Sequence, residues 1–203
     1  MIIGNGRRII KYMNYVTKAL GGLFLDVIET VVIALSIFLI VYLFLMQPHQ
    51  VNGQSMVPNF HDKDYLLTDK VTYKRRDPQR GEVVVFHAPD QAGCPKGAGC
   101  DFIKRVLGVP GESVEIKDGG VYINEVRLQE NYLPADFVTQ AGAFTKNRQI
   151  TLGENEFFVA GDNRDHSSDS RAWGPVTKDK IIGRVFFRYW PLAQAGIVEH
   201  ARY

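Results

Sequence analysis

Residues 113–123 read SVEIKDGGVYI. Two short runs, Ser113–Ile116 and Val121–Ile123, flank Lys117-Asp118-Gly119-Gly120. Apolar side chains at every second position mark a half-buried strand. Asp-Gly between two such runs is a hairpin signal, because glycine accepts the positive φ of a tight turn. The same pattern extends in both directions. Tyr65–Thr68, Glu82–Phe86, Phe102–Leu107, Glu156–Ala160 and Ile181–Trp190 are β-branched or aromatic runs separated by turn residues. No long amphipathic helical pattern follows Met46. The expectation for residues 47–203 is an all-β domain, with residues 129–148, where periodicity is weak, as a small excursion. No internal repeat or low-complexity tract is present.

Upstream the pattern changes. Thr30–Met46 reads TVVIALSIFLIVYLFLM, without a charge. Roughly 17 helical residues span about 26 Å, slightly less than a hydrocarbon core of ~30 Å. Extension through Phe24, Leu25, Val27 and Ile28 completes the span, giving an anchor over residues 24–46. Asp26 and Glu29 then lie at the inner interface, where a helix N-terminus favours negative charge. A cleaved signal peptide would carry a shorter apolar core ending at small residues, and Met46-Gln47-Pro48-His49 offers no such site. Arg7, Arg8, Lys11 and Lys18 precede the span, so residues 1–23 read as a short basic cytoplasmic segment and the β-domain as extracytoplasmic.

The formal net charge is +2. That near balance argues against nucleic-acid binding, which needs a concentrated basic face. Cys94 and Cys100 stand in GCPKGAGC. Outside the membrane a disulfide closing this loop is one reading and free thiols are the other; a zinc site would need about four ligands, and only His87 is near in sequence.

Four segments bear on chemistry. Val51–Pro58 (VNGQSMVP) sets Ser55 after a glycine turn, about nine residues beyond the span; extended chain of that length reaches at most ~30 Å. Asp101–Glu112 (DFIKRVLGVPGE) alternates as a strand, with Phe102, Lys104 and Val106 on one face and Ile103, Arg105 and Leu107 on the other. A lysine among apolar neighbours is either an edge-strand guard or a base. Gly161–Arg171 (GDNRDHSSDSR) is dense in acceptors, but a calcium loop starting at Asp162 needs glycine sixth and glutamate twelfth, where Ser167 and Trp173 stand. The fourth, Gly81–Phe86, is by itself a buried strand.

Behind an apolar anchor, these segments together resemble the bacterial type I signal peptidases. The resemblance covers most of residues 47–190 and weakens over 129–148. It implies an all-β catalytic domain of that type after one transmembrane helix, with Ser55 as nucleophile and Lys104 as general base. By the same resemblance Ser167 orients the lysine amine, and Asp162, Arg105, Asp169 and Arg171 hold the framework as ion-pair partners. Val51, Met56, Phe60, Phe102 and Ile103 match or flank pocket positions for small residues at −1 and −3. The resemblance implies neither metal nor organic cofactor. The implied partners are signal-peptide-bearing preproteins, the lipid bilayer and the export machinery, at the cytoplasmic membrane. The Ser55 amide is the first oxyanion donor; Gly53 stands where some members carry a second donor serine.

The residue types follow from the chemistry. A serine hydroxyl needs a neighbour to take its proton. Lysine, with a reference pKa of ~10.4, is neutral in about one molecule per thousand near pH 7.5; burial is what lowers it. Lys104 is therefore expected to be buried within reach of Ser55. A Ser-His-Asp hydrolase using His61, Asp62 or His87 lacks a G-x-S-x-G elbow. The autoproteolytic repressors share the serine–lysine chemistry but carry a DNA-binding domain and no membrane span. A catalytically silent, membrane-tethered β-domain that binds exported peptides is the non-enzymatic alternative.

Overall fold

In a computed structural model, which describes residues 3–94, 100–201 and 203, the chain divides into two compact units, residues 1–44 and 45–203. The first unit is helical. α1 runs Ile3–Ile40, followed by a π-helical turn over Val41–Leu45. Leu20–Leu45 is long and apolar enough to cross a bilayer, and none of it is buried within the protein. Its two aliphatic hydroxyls are satisfied inside the helix: Thr30 Oγ1 donates to the Asp26 carbonyl at 2.8 Å and Ser36 Oγ to the Val32 carbonyl at 2.7 Å. Such back-bonding hides a polar group from lipid. The side chains of Arg7, Arg8 and Lys11 lie outside the described residues.

The second unit is mostly β-sheet. Its elements in chain order are β1 (Met46–Gln50), β2 (Tyr65–Asp69), the short α2 (Thr72–Arg75), β3 (Val83–His87), β4 (Asp101–Gly108), β5 (Ser113–Lys117) and β6 (Gly120–Ile123). There follow β7 (Val126–Arg127), β8 (Ile150–Thr151), β9 (Glu156–Ala160), α3 (Ser170–Trp173), β10 (Val176–Thr177), β11 (Ile181–Trp190) and β12 (Gly196–Ile197). One sheet has the order β1-β2-β11-β3-β4-β9-β10, with β12 also on β11; a second has the order β7-β6-β5-β8. The hairpin expected at residues 113–123 is β5–β6, with Val114 opposite Ile123 and Lys117 opposite Gly120.

β1 was not legible from periodicity. Met46, read above as the end of the apolar span, opens it, and Pro48 sits within it. Proline lacks an N–H for the ladder and belongs at a sheet edge, which is where β1 lies.

Three apolar clusters hold the domain. Leu107, Val114, Val121 and Phe158 join the two sheets. Val51, Met56, Phe60, Leu66 and Val185 fill one face of the large sheet. Val84, Phe86, Val106 and Phe157 fill the other. Residues 129–148 are tied down rather than free. Phe144 packs on the first cluster, Glu130 and Thr139 bond to Arg164, and the Gln140 carbonyl accepts from Arg171.

Candidate active site

Ser55 owes its position to a tight turn. Gly53 has φ +92, a left-handed conformation glycine adopts without strain. Its N–H donates to Asp62 Oδ1 at 2.7 Å, and the Val57 N–H closes the turn on the Gln54 carbonyl at 3.2 Å. Met56, fully buried, pins the turn to the core. From the other side the Asn163 N–H donates to the Ser55 carbonyl at 3.0 Å and Asn163 Nδ2 to the Gln54 carbonyl at 3.1 Å. Among the described residues the Ser55 N–H has no hydrogen-bond partner, so it is free to serve as an oxyanion donor.

Lys104 stands mid-strand in β4, paired with Val84 of β3. Its side chain is buried, at 3% exposure. Lys104 Nζ donates to Ser55 Oγ at 2.8 Å and to the Ile103 carbonyl at 2.9 Å, and lies 5.1 Å from the centre of the Phe102 ring. Burial lowers the amine's pKa from 10.5 to about 8; Asp169 and Asp162 oppose that fall and Arg171 adds to it. Among the described residues Lys104 is the one side chain bonded to the Ser55 hydroxyl. His87 Nδ1 lies 2.7 Å from Asp101 Oδ1 instead, and Asp62 is engaged with Gly53.

Behind the pair lie two buried arginine–carboxylate forks. Arg105 Nε and Nη2 meet Asp162 at 2.9 and 2.7 Å, and Asn59 Nδ2 adds a bond to Asp162 at 2.9 Å. Tyr132 covers the Arg105 guanidinium at 4.0 Å. Arg171 Nε and Nη2 each meet Asp169 at 2.8 Å; Asp169 also caps α3 and accepts the Gly161 N–H at 3.0 Å. Such pairs fix geometry more than they add net stability.

Two expectations need correction. Ser167 does not bond to the lysine amine: its Oγ is buried without a hydrogen-bond partner. It packs beside the site, since a Cβ on Gly161 would overlap both Ser167 Oγ and the Ser55 carbonyl oxygen. The amine's donors go to Ser55 and Ile103 instead. Met56 and Phe60 are likewise not pocket walls. A cleft of about 620 Å³ runs past Ser55 and Lys104, lined by Val51, Phe102 and Ile103 together with Leu66, Val85 and His49. Met56 turns away from it into the core and Phe60 faces another cavity. Leu66 and Val85 lie in unbroken apolar runs that marked strands without saying which face meets the cleft; Asn59, Glu130 and Asn163, whose partners lie far off in sequence, carried no local signal.

Cys94 and Cys100 form a disulfide, and Cys100 borders the cleft; residues 95–99 between them lie outside the described residues.

A family model described as "Signal peptidase, peptidase S26" matches residues 24–190. A probable signal peptidase I-2 from Synechocystis sp. is 35% identical over 174 residues, which is 86% of this chain and 77% of that protein. Signal peptidase IB from Staphylococcus aureus is 34% identical over 184 residues, 84% of this chain and 91% of that protein. A crystal structure of a signal peptidase I from Enterococcus faecalis V583, 33% identical, aligns with a TM-score of 0.43 over 54% of this chain and 97% of that one. The chain therefore belongs to the signal peptidase family, peptidase S26, serine endopeptidases that remove signal peptides.

Proposed function

We propose that Ser55 is the nucleophile and Lys104 the general base of a signal-peptide-cutting dyad tethered to a bilayer through Leu20–Leu45. The observation that carries this reading is the 2.8 Å approach of a buried lysine amine to the serine hydroxyl. With a pKa of about 8, roughly a quarter of the amines are neutral at pH 7.5, against about one in a thousand for a solvated lysine.

The neutral Nζ takes the Oγ proton as Oγ attacks the carbonyl carbon of the −1 residue. The oxyanion that forms accepts from the Ser55 N–H. The ammonium then returns its proton to the departing main-chain nitrogen, leaving an acyl-enzyme on Ser55. Water, deprotonated by the same amine, releases the signal peptide. Asp162, Arg105, Asp169 and Arg171 hold the layer beneath and transfer no protons.

Substrate choice follows from the apolar floor of the cleft. Val51, Phe102, Ile103, Leu66 and Val85 offer shallow contact suited to small side chains at −1 and −3. The basic leader argues for a cytoplasmic N-terminus and an extracytoplasmic β-domain. Sharing one bilayer with membrane-borne preproteins, beside the export machinery, raises effective concentration so that weak contacts suffice.

The test is cleavage of a preprotein by the wild type, Ser55→Ala and Lys104→Ala, each full-length in detergent. Cleavage by the wild type alone is expected. Equal cleavage by all three removes the dyad, and binding without cleavage by the wild type makes the domain a peptide-binding module.

A further inference from the structure

Residues 196–201 lie beyond the stretch matched by the family model, and they run back over the strand pair that carries Lys104. Gly196 and Ile197 pair with Arg188 and Phe187 of β11, and the Val198 N–H donates to the Phe186 carbonyl at 2.9 Å. The segment then reaches the start of β3. There β11 pairs only with Val84, Val85 and Phe86, which leaves the buried Val83 N–H outside the ladder. His200 supplies the missing acceptor: the Val83 N–H donates to His200 Nδ1 at 3.2 Å. One residue on, the Ala201 carbonyl presses on Gly81 so closely that a Cβ there would overlap its oxygen and lie 2.8 Å from its carbon. Tyr203 stacks near the Arg80 guanidinium at 5.9 Å and lines the same cavity as Arg105 and Tyr132.

What this segment grips is tied to the site. Gly81 and Glu82 exchange hydrogen bonds with Val106, at 2.8 and 2.9 Å, and the Gly81 carbonyl accepts from Arg105 Nη1 at 2.9 Å. Val83 sits opposite Arg105 in the register that places Val84 opposite Lys104. We propose that Glu199–Ala201 is a positioning clasp for the lysine, in which His200 and Ala201 hold Gly81–Val83, and through them Arg105 and the register of β4. This rests on the reading of Ser55 and Lys104 as the catalytic pair. No residue of the clasp touches the reacting atoms. Its effect should appear in kcat and in the pH dependence of the lysine; KM can move with them, because β3 and β4 also carry the cleft walls Val85, Phe102 and Ile103.

The experiment compares full-length wild type with a chain ended at Val198, which keeps β12, and with His200→Ala and His200→Asn, on a signal-peptide substrate in detergent. Ending the chain at Val198 is expected to lower kcat by about tenfold to a hundredfold, the scale on which small misplacements act, and to move the acid limb of kcat upward. His200→Ala should do the same more weakly. His200→Asn, whose Oδ1 occupies the Nδ1 position, should restore both kcat and the pH limb. If the shortened chain does not fold, the two single substitutions decide. Wild-type kcat and pH limb in His200→Ala, with or without a lower melting temperature, overturn the clasp. Undiminished cleavage by full-length Ser55→Ala or Lys104→Ala would instead remove the dyad reading on which it rests.

Discussion

A lysine kept near neutrality is a charge kept out of water, and that has a measurable cost. The fall of the Lys104 pKa from 10.5 to about 8 corresponds to about 3 kcal/mol, at roughly 1.4 kcal/mol per pH unit. The sign follows from proton counting. Between pH 8 and 10.5 the unfolded chain holds a proton on this amine that the folded protein lacks. Stability therefore rises with pH across that window, and the whole cost is present below it. Lys104→Met keeps the length and apolar contacts of the side chain and removes the charge. Against the gain stand the hydrogen bonds to Ser55 Oγ at 2.8 Å and to the Ile103 carbonyl at 2.9 Å, each worth about 1 kcal/mol. The net expectation at pH 7 is a variant more stable than wild type by about 1 kcal/mol, roughly 2–4 °C in melting temperature for a domain of this size. At pH 10 that advantage should have largely vanished. Urea titrations of both full-length proteins in detergent, followed by tryptophan fluorescence at pH 7 and pH 10, measure it. An advantage identical at the two pH values, or a variant less stable at pH 7, would refute the claim that burial of this amine sets its basicity.

Other substitutions probe the same architecture. Gly161→Ala drives a methyl group into Ser167 Oγ and the Ser55 carbonyl, and kcat should fall by about a hundredfold; Gly153→Ala, whose nearest neighbour would be Glu156 Oε2 at 3.4 Å, should leave it unchanged. Phe102→Ala opens the wall beside the amine and admits water. The acid limb of kcat/KM should then move up from about 8, so that activity falls more at pH 7.5 than at pH 9. For His200, burial lowers the imidazole pKa from 6.5 to about 4, with Glu82 opposing the change and Arg184, Arg105 and Arg76 reinforcing it. The unfolded chain therefore binds the extra proton between pH 6.5 and about 4, and domain stability should decline as pH falls through that window. His200→Asn should show a shallower decline in pH-dependent urea midpoints.

The hairpin Ser113–Ile123 and the strands Glu156–Ala160 and Ile181–Trp190 were plain in the sequence, since turn residues and β-branched runs carry their signal locally. β1 was not, because MQPHQ has neither alternation nor β-propensity and becomes a strand only through its pairing with Tyr65–Asp69. Chemistry was legible only by resemblance: Ser55 and Lys104 stand 49 residues apart, and no period or turn joins them. Closeness in sequence also misled. Met56 is next to Ser55 yet turns into the core, and Phe60 faces elsewhere. The ties of residues 129–148 to Arg164 and Arg171 were invisible, because an ion pair between distant loops leaves no mark on either one.

Those ties bear on how the enzyme comes into being. Arg164 is 3% exposed and engages Glu130 and Thr139 of the excursion. Were residues 129–148 to undock, they would leave a cation stranded in the interior, a penalty of several kcal/mol. Docking of residues 129–148 is therefore coupled to the burial of Arg164. The excursion is thus a structural member of the domain, without which a buried guanidinium loses its counter-charge.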